Sequence, residues 1–178
     1  MIHVLYLDDE AHNLTAFRAA FRRSFHVHVT TEPTEAVQLL REHPIEVIIS
    51  DQKMPTLSGV EFFELVMPDF PDPVRMLLTG HADIDAVIDA INKGQIYKYI
   101  SKPWNESELY ALVEEASAQY RRKRELHSAG NKLLGQLQEA RHLARQISDA
   151  LQEGIPIDEE RLAKINQMAK NIDALLSH

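Results

Sequence analysis

Four apolar runs in the chain end on residues able to do chemistry. The run 2–7 stops at Asp8-Asp9-Glu10, and the run 47–50 stops at Asp51. A third run closes on Thr79-Gly80, and a fourth on Ser101-Lys102-Pro103. Two or three carboxylates crowded together resist ionising unless a cation neutralises them. Oxygen ligands with no Cys or His among them suit Mg²⁺, which keeps several waters and accepts a phosphate as co-ligand. Lys102 is a point charge suited to a phosphoryl oxygen, and Thr79 adds a hydroxyl. Acid, metal, lysine and hydroxyl together make a kit for phosphoryl transfer, with an aspartate as candidate nucleophile.

These residues, spread over nearly a hundred positions, meet only if the elements before them align. Strand patterns are read at 2–8, 26–30, 46–50, 74–79 and 97–101, rich in β-branched and aromatic residues. Helical spacing falls between them. Residues 16–25 place Phe17, Ala20, Phe21 and Phe25 on one side, and a helix after Thr34 ends at Pro44. Residues 58–67 open with Ser58 and, three on, Glu61, a capping-box pattern. Residues 83–92 form a helix stopped by Gly94, and another starts near Asn105 and Ser107. Five strands alternating with five helices predict an α/β fold with a parallel sheet covered on both faces. Such sheets bind ligands beyond the carboxyl ends of their strands, where all four chemical groups lie.

Composition narrows the class. The chain has 178 residues, 44% hydrophobic and 26% charged, enough for one domain with an appendage or two small ones. No stretch approaches the ~18 apolar residues of a membrane span, and the N-terminus lacks the basic start of a signal peptide. The absence of cysteine excludes disulfides and thiolate metal sites and fits a reducing cytoplasm. Residues 1–120 carry 9 Lys/Arg against 19 Asp/Glu, net −10, whereas residues 121–178 carry 10 against 8, net +2. The first part repels nucleic acid and attracts cations. A boundary is expected near residue 120.

The stretches LDDE (7–10), SDQKMPTLSG (50–59), LLTGHAD (77–83) and YKYISKPW (97–104), in this order, resemble the receiver domain of bacterial two-component response regulators. The resemblance covers roughly residues 1–120. It implies a doubly wound, flavodoxin-like sheet in the order 2-1-3-4-5, and phosphorylation of Asp51 by a sensor histidine kinase. It implies that Asp8, Asp9, Asp51 and the main-chain carbonyl of Lys53 hold Mg²⁺, and that Lys102 and Thr79 contact the phosphoryl group. Tyr99 matches an aromatic that swings inward with Thr79 on activation. Pro103 matches a proline usually preceded by a cis bond, and Gly59 matches a turn glycine. His81 and Lys53 flank the site, where they could set how fast water removes the phosphoryl group. Taken singly, each residue has an ordinary reading: a helix N-terminus for Asp8 and Asp9, a core aromatic for Tyr99, a turn for Pro103. Their joint placement at four strand ends carries the functional reading.

Beyond residue 120 the helical pattern continues, with no proline before Pro156. Leu126, Gly130, Leu133, Leu137, Ala140, Ala144, Ile147 and Leu151 are spaced 4-3-4-3-4-3-4, a heptad seam. A helix over 105–152 would be about 70 Å long. Residues 153–157 read as a turn and 158–176 as a last helix, making an αα-hairpin. One hairpin buries a narrow core and two make a four-helix bundle, so a homodimer through these helices is expected, against a monomeric hairpin. A third possibility is a receiver cut from a longer regulator, with an effector such as a cyclic-nucleotide enzyme or transcription activator. The run RRKR (121–124) reads as a solvated helix face rather than a nucleic-acid contact, with no DNA-binding motif after it. His127 and His142 lie outside any recognisable phosphoacceptor motif. A flavin-binding reading fails on the acidic loop after the first strand, and a P-loop reading on the absence of G-x-x-x-x-G-K-[ST]. The expected function is a phosphorylation switch, not a classical enzyme, whose only chemistry is its own phosphorylation and hydrolysis.

Overall fold

A computed structural model describes residues 1–80, 95–152 and, toward the C-terminus, 159, 160, 162–164, 166, 167 and 170. Strands β1 (His3–Leu7), β2 (His26–Thr30), β3 (Val47–Asp51), β4 (Val74–Thr79) and β5 (Lys98–Ser101) alternate with helices α1 (Ala11–Phe21), α2 (Pro33–Glu42) and α3 (Gly59–Val66). Helix α4 (Glu106–Gln152) follows β5. The strands form one parallel sheet in the order β2-β1-β3-β4-β5, as the sequence predicts. The expected helix at 83–92, with His81 before it, lies outside the described residues, as does the turn at 153–157. Within the expected last helix, 159, 160, 162–164, 166, 167 and 170 are helical.

Period-two alternation sorts the sheet's side chains onto two faces. Val4, Tyr6, Ile49, Met76 and Leu78 pack with Phe17 and Phe21 of α1 and with Leu109, Val113 and Ala116 of α4. Leu5, Leu7, Ile48 and Leu77 pack with Ala36 and Leu40 of α2 and with Phe62, Phe63 and Val66 of α3. β1, β3 and β4 are buried on both faces, which is why they read as continuous apolar runs. Asp51 is itself the last residue of β3, in register with Leu78.

Local chemistry sets the element ends. Ser58 accepts from the Glu61 amide at 3.2 Å while Glu61 accepts from the Ser58 amide at 2.7 Å, the expected capping box. Pro33 occupies the first turn of α2, where its missing N–H costs nothing. α1 begins at Ala11, earlier than the expected 16, because the Asn13 and Leu14 amides already donate to the Glu10 carbonyl. That extension adds buried Leu14 to the Phe17–Phe21 stripe.

Helix α4 starts on Asn105, whose side-chain oxygen accepts from the Glu108 amide at 3.1 Å. The chain divides into two units, Met1–Glu125 and Leu126–His178. Within the first, the basic run 121–124 is not merely solvated. Arg121 Nε lies 3.1 Å from Glu46 Oε2, and Lys123 Nζ donates to the Pro71 carbonyl at 2.7 Å. Arg124 reaches Asp72 at 3.7 Å and lies over the Tyr120 ring. These charges tie the last receiver-side turn of α4 to acids at the N-terminal ends of β3 and β4. In the second unit, Leu126, Leu133 and Leu137 of the heptad seam are exposed, at 74, 47 and 54%.

Candidate functional site

Three strand ends bring the predicted charges together. Asp8 follows β1 and is fully buried, Asp51 ends β3 and is 6% exposed, and Lys102 follows β5. The Lys102 ammonium sits between the two carboxylates, 2.8 Å from Asp8 Oδ2 and in close contact with Asp51 Oδ1. Its main-chain amide donates to the Thr79 carbonyl at 2.9 Å, which fixes the loop after β5 against the end of β4. The Lys102–Pro103 peptide is cis, as the resemblance implies.

Each carboxylate has further donors. Asp8 Oδ1 accepts from the Glu10 amide and from Asn13 Nδ2, both at 3.0 Å, and Oδ2 accepts the Tyr6 hydroxyl. Burial alone would raise the Asp8 carboxyl, but hydrogen bonds from Lys102, Tyr6, Asn13 and the Glu10 amide outweigh it and hold the group below the ordinary carboxylate range. Asp51 Oδ2 accepts the Lys53 amide at 2.7 Å. There burial wins over Lys102 and the Lys53 amide, and the carboxyl is raised. Burial works against the Lys102 ammonium, yet its bonds to Asp51 and Asp8 raise it overall, so it stays charged. The result is one carboxylate well supplied with donors, Asp8, and one less fully neutralised, Asp51.

The remaining expected residues are placed less uniformly. Asp9 is exposed at the rim. Thr79 is buried, in register with Ser101, and its hydroxyl donates to the Gly80 carbonyl at 2.9 Å. Tyr99 lies on β5 with 41% of its surface exposed. Gly59 is not a turn glycine. It is the first residue of α3, its φ lies outside the left-handed region, and its amide donates to the Gln52 carbonyl at 3.1 Å. A Cβ there would press on the Asp51 carbonyl and lie 2.5 Å from Leu77 Cδ2, so close approach of α3 to the end of β3 is what demands glycine.

Sequence reasoning missed three supporting groups. Tyr6 stands two residues before Asp8, on the same strand face, and that spacing was the available signal. Asn13 sits in the first turn of α1, directly above the acidic loop. Gln52 accepts the Val60 amide at 3.2 Å and so braces the loop after Asp51 against α3; nothing in its sequence context marks it.

The donor set fits Mg²⁺ in chemistry: hard oxygens, a rim carboxylate, and two buried acids whose mutual charge calls for a cation. Among the described residues no group of three or more His, Asp or Glu side chains is already gathered around one point. Asp9 and main-chain oxygen would have to complete the set. Also among the described residues, no helix is long and apolar enough to cross a membrane.

Comparison with known proteins agrees with this geometry. Residues 4–114 match the response regulator receiver domain. The hydrogenase transcriptional regulatory protein HoxA of Bradyrhizobium diazoefficiens is 38% identical over 127 residues, covering 71% of this chain and 26% of that protein. A response regulator receiver domain from Clostridium thermocellum has 29% identity and a TM-score of 0.63, covering 71% of this chain and 99% of the other. The beryllofluoride-activated NtrC4 receiver domain dimer has 29% identity and a TM-score of 0.61, covering 67% and 99%. The chain thus spans about a quarter of the length of the HoxA protein that it matches. On the match over 4–114 and a sheet order and strand-end chemistry to go with it, the chain belongs to the response regulator receiver-domain family.

Proposed function

We propose that this receiver is a phosphorylation switch with Asp51 as its acceptor. The observation that carries the reading is the Lys102 ammonium shared by two buried carboxylates from different strands. An Asp51 oxygen attacks the phosphorus of a phosphohistidine on a sensor kinase. The P–O bond forms as the P–N bond breaks, and the leaving imidazole keeps the electron pair and takes up a proton. Lys102 balances charge on the transferred oxygens, and the Lys53 amide holds Asp51 in line. Asp8, Asp9, Asp51 and the Lys53 carbonyl would hold Mg²⁺, which when bound supplies charge neutralisation at the phosphoryl group.

The acyl phosphate adds about 1.5 to 2 negative charges at the strand ends. The Thr79 hydroxyl leaves the Gly80 carbonyl for a phosphoryl oxygen, and exposed Tyr99 turns into the space released. Reversing a 1:99 equilibrium takes about 5.5 kcal/mol of differential stabilisation, within reach of a few charge-assisted hydrogen bonds. The altered surface around β5 and the first turns of α4 is the readout, in the cytoplasm.

The test is labelling with a small phosphodonor and Mg²⁺, wild type against Asp51→Asn. Labelling confined to wild type is expected, and equal labelling of both overturns the acceptor.

Output through a second copy is supported by the exposed Leu126, Leu133 and Leu137 at heptad positions and by the dimeric NtrC4 neighbour. The solution mass of residues 1–125 against the whole chain tests it: a dimer only with the helices is expected. A second reading, receiver of a transcription regulator, is favoured by the name of the HoxA relative.

A further inference from the structure

The opposite end of the sheet holds four of the chain's nine histidines. His3 opens β1 and lies in register with His26 on β2. His28 is two residues further along β2, and His43 caps the C-terminus of α2, its amide on the Leu39 carbonyl. Alternation puts His3, His26 and His28 on the α2 side, where the apolar row of Leu5 and Leu7 runs out. The rings touch in sequence. Centroids are 4.6 Å apart for His3 and His26, 5.4 Å for His3 and His28, and 4.2 Å for His28 and His43.

An imidazole that is partly buried normally gives its N–H to a carbonyl or carboxylate. Here His3 Nδ1 and His28 Nε2 share a hydrogen bond with each other at 3.2 Å, one ring donating and the other accepting. Among the described residues no carboxylate forms an ion pair with any of the four; Glu46, whose charge acts on His3, is bonded to Ser117 and Arg121. Two nitrogens bound at about 2.0–2.1 Å to one tetrahedral zinc sit roughly 3.3 Å apart. The hydrogen bond thus holds the two nitrogens close to the separation a shared cation needs, so that a cation can take the place of the shared proton.

We infer that His3 and His28 form a two-nitrogen chelate for a borderline divalent transition cation such as Zn²⁺, clamping β1 to β2 at the edge away from Asp51. Water completes the coordination, since no third His, Asp or Glu side chain already converges on the point. His43 packs against His28 with its ring tilted by 32° and limits how that ring can turn. Burial, then the neighbouring His26, lowers His3 against the raising charge of Glu46; burial, then His43, takes His28 down to about 4. Exposed His26 leaves an approach from solvent. Imidazole ligation separates this site from the acidic pocket, whose hard oxygens favour Mg²⁺.

The test is calorimetric titration of metal-stripped full-length protein with Zn²⁺ at pH 7.5, in excess Mg²⁺ to occupy the acidic pocket. One equivalent of zinc is expected, weakened at least tenfold in His3→Gln and in His28→Gln and unchanged in His142→Gln. Side-chain ¹⁵N spectra of the wild type report without mutation: the His3 and His28 rings must shift on adding zinc. No saturable binding, wild-type affinity in the His3 or His28 variant, or shifts confined to other histidines overturns the chelate.

Discussion

At the C-terminal edge of the sheet, two carboxylates face each other across Lys102; at the N-terminal edge, four imidazoles touch in sequence, ring against ring. β1 joins the two, with roughly 16 Å between His3 and Asp8 at ~3.3 Å per residue. The acid edge concentrates charge that burial opposes, and the structure answers with donors from β1, α1, β5 and the loop after β3. The imidazole edge is held instead by ring contacts and by the hydrogen bond between His3 and His28. Nearby Glu46 is bonded to Ser117 and Arg121. One strand scaffold therefore supports a site built of paired charges and a site built of imidazoles.

The largest effect should come from Lys102→Met, which takes the cation from between Asp8 and Asp51. Labelling by a small phosphodonor is expected to fall on the order of 100-fold, as for loss of one preorganised electrostatic group. Melting should also become more dependent on Mg²⁺ than in wild type, since the metal is then the remaining source of positive charge. A labelling rate within threefold of wild type would mean that the acid edge is not organised around this lysine. Next, Gly59→Ala drives a methyl against the Asp51 carbonyl and Leu77. A loss of about 1–3 kcal/mol in urea unfolding is expected from overpacking, with slower labelling because the end of β3 shifts. Unchanged stability would show that Leu77 yields freely.

The same contrast explains what the sequence revealed. Asp8, Asp51, Thr79 and Lys102 were legible because each ends an apolar strand, and parallel pairing forces such ends together. The strand order itself came from the resemblance. Tyr6 and Asn13 were less visible, since their role depends on a hydroxyl and an amide turned toward Asp8, a matter of side-chain placement. Gly59 was read as a turn, whereas its cause is a tertiary approach between α3 and β3 that no local pattern encodes. The histidines passed unnoticed because 3, 26, 28 and 43 become neighbours only through the β1–β2 register and the end of α2. The basic run 121–124 looked solvated because its acidic partners lie about fifty and seventy-five positions away.

A smaller effect is expected at the imidazole edge. His43→Ala removes the ring packed against His28, and aromatic pairs of this kind contribute about 0.5–1.5 kcal/mol. Urea unfolding in metal-free buffer should show a loss of that order, while the labelling rate of Asp51 stays within about twofold. A large drop in labelling would break the comparison, because it would couple the two edges through β1.

The smallest effect is predicted for Arg121→Ala. The guanidinium pairs with Glu46, but its side chain is 57% exposed, so water and salt screen the pair. Exposed ion pairs contribute about 0.2–1 kcal/mol, and Glu46 keeps its 2.6 Å hydrogen bond from Ser117. A shift of a few tenths of a kcal/mol in urea unfolding, shrinking at high salt, is the expected outcome. Glu46→Gln should cost at least as much, because it weakens the bonds from both Arg121 and Ser117. If Arg121→Ala instead costs more than 2 kcal/mol, the N-terminal edge depends on charge as heavily as the acid edge does. The division between a charge-dependent edge and an imidazole edge would then fail.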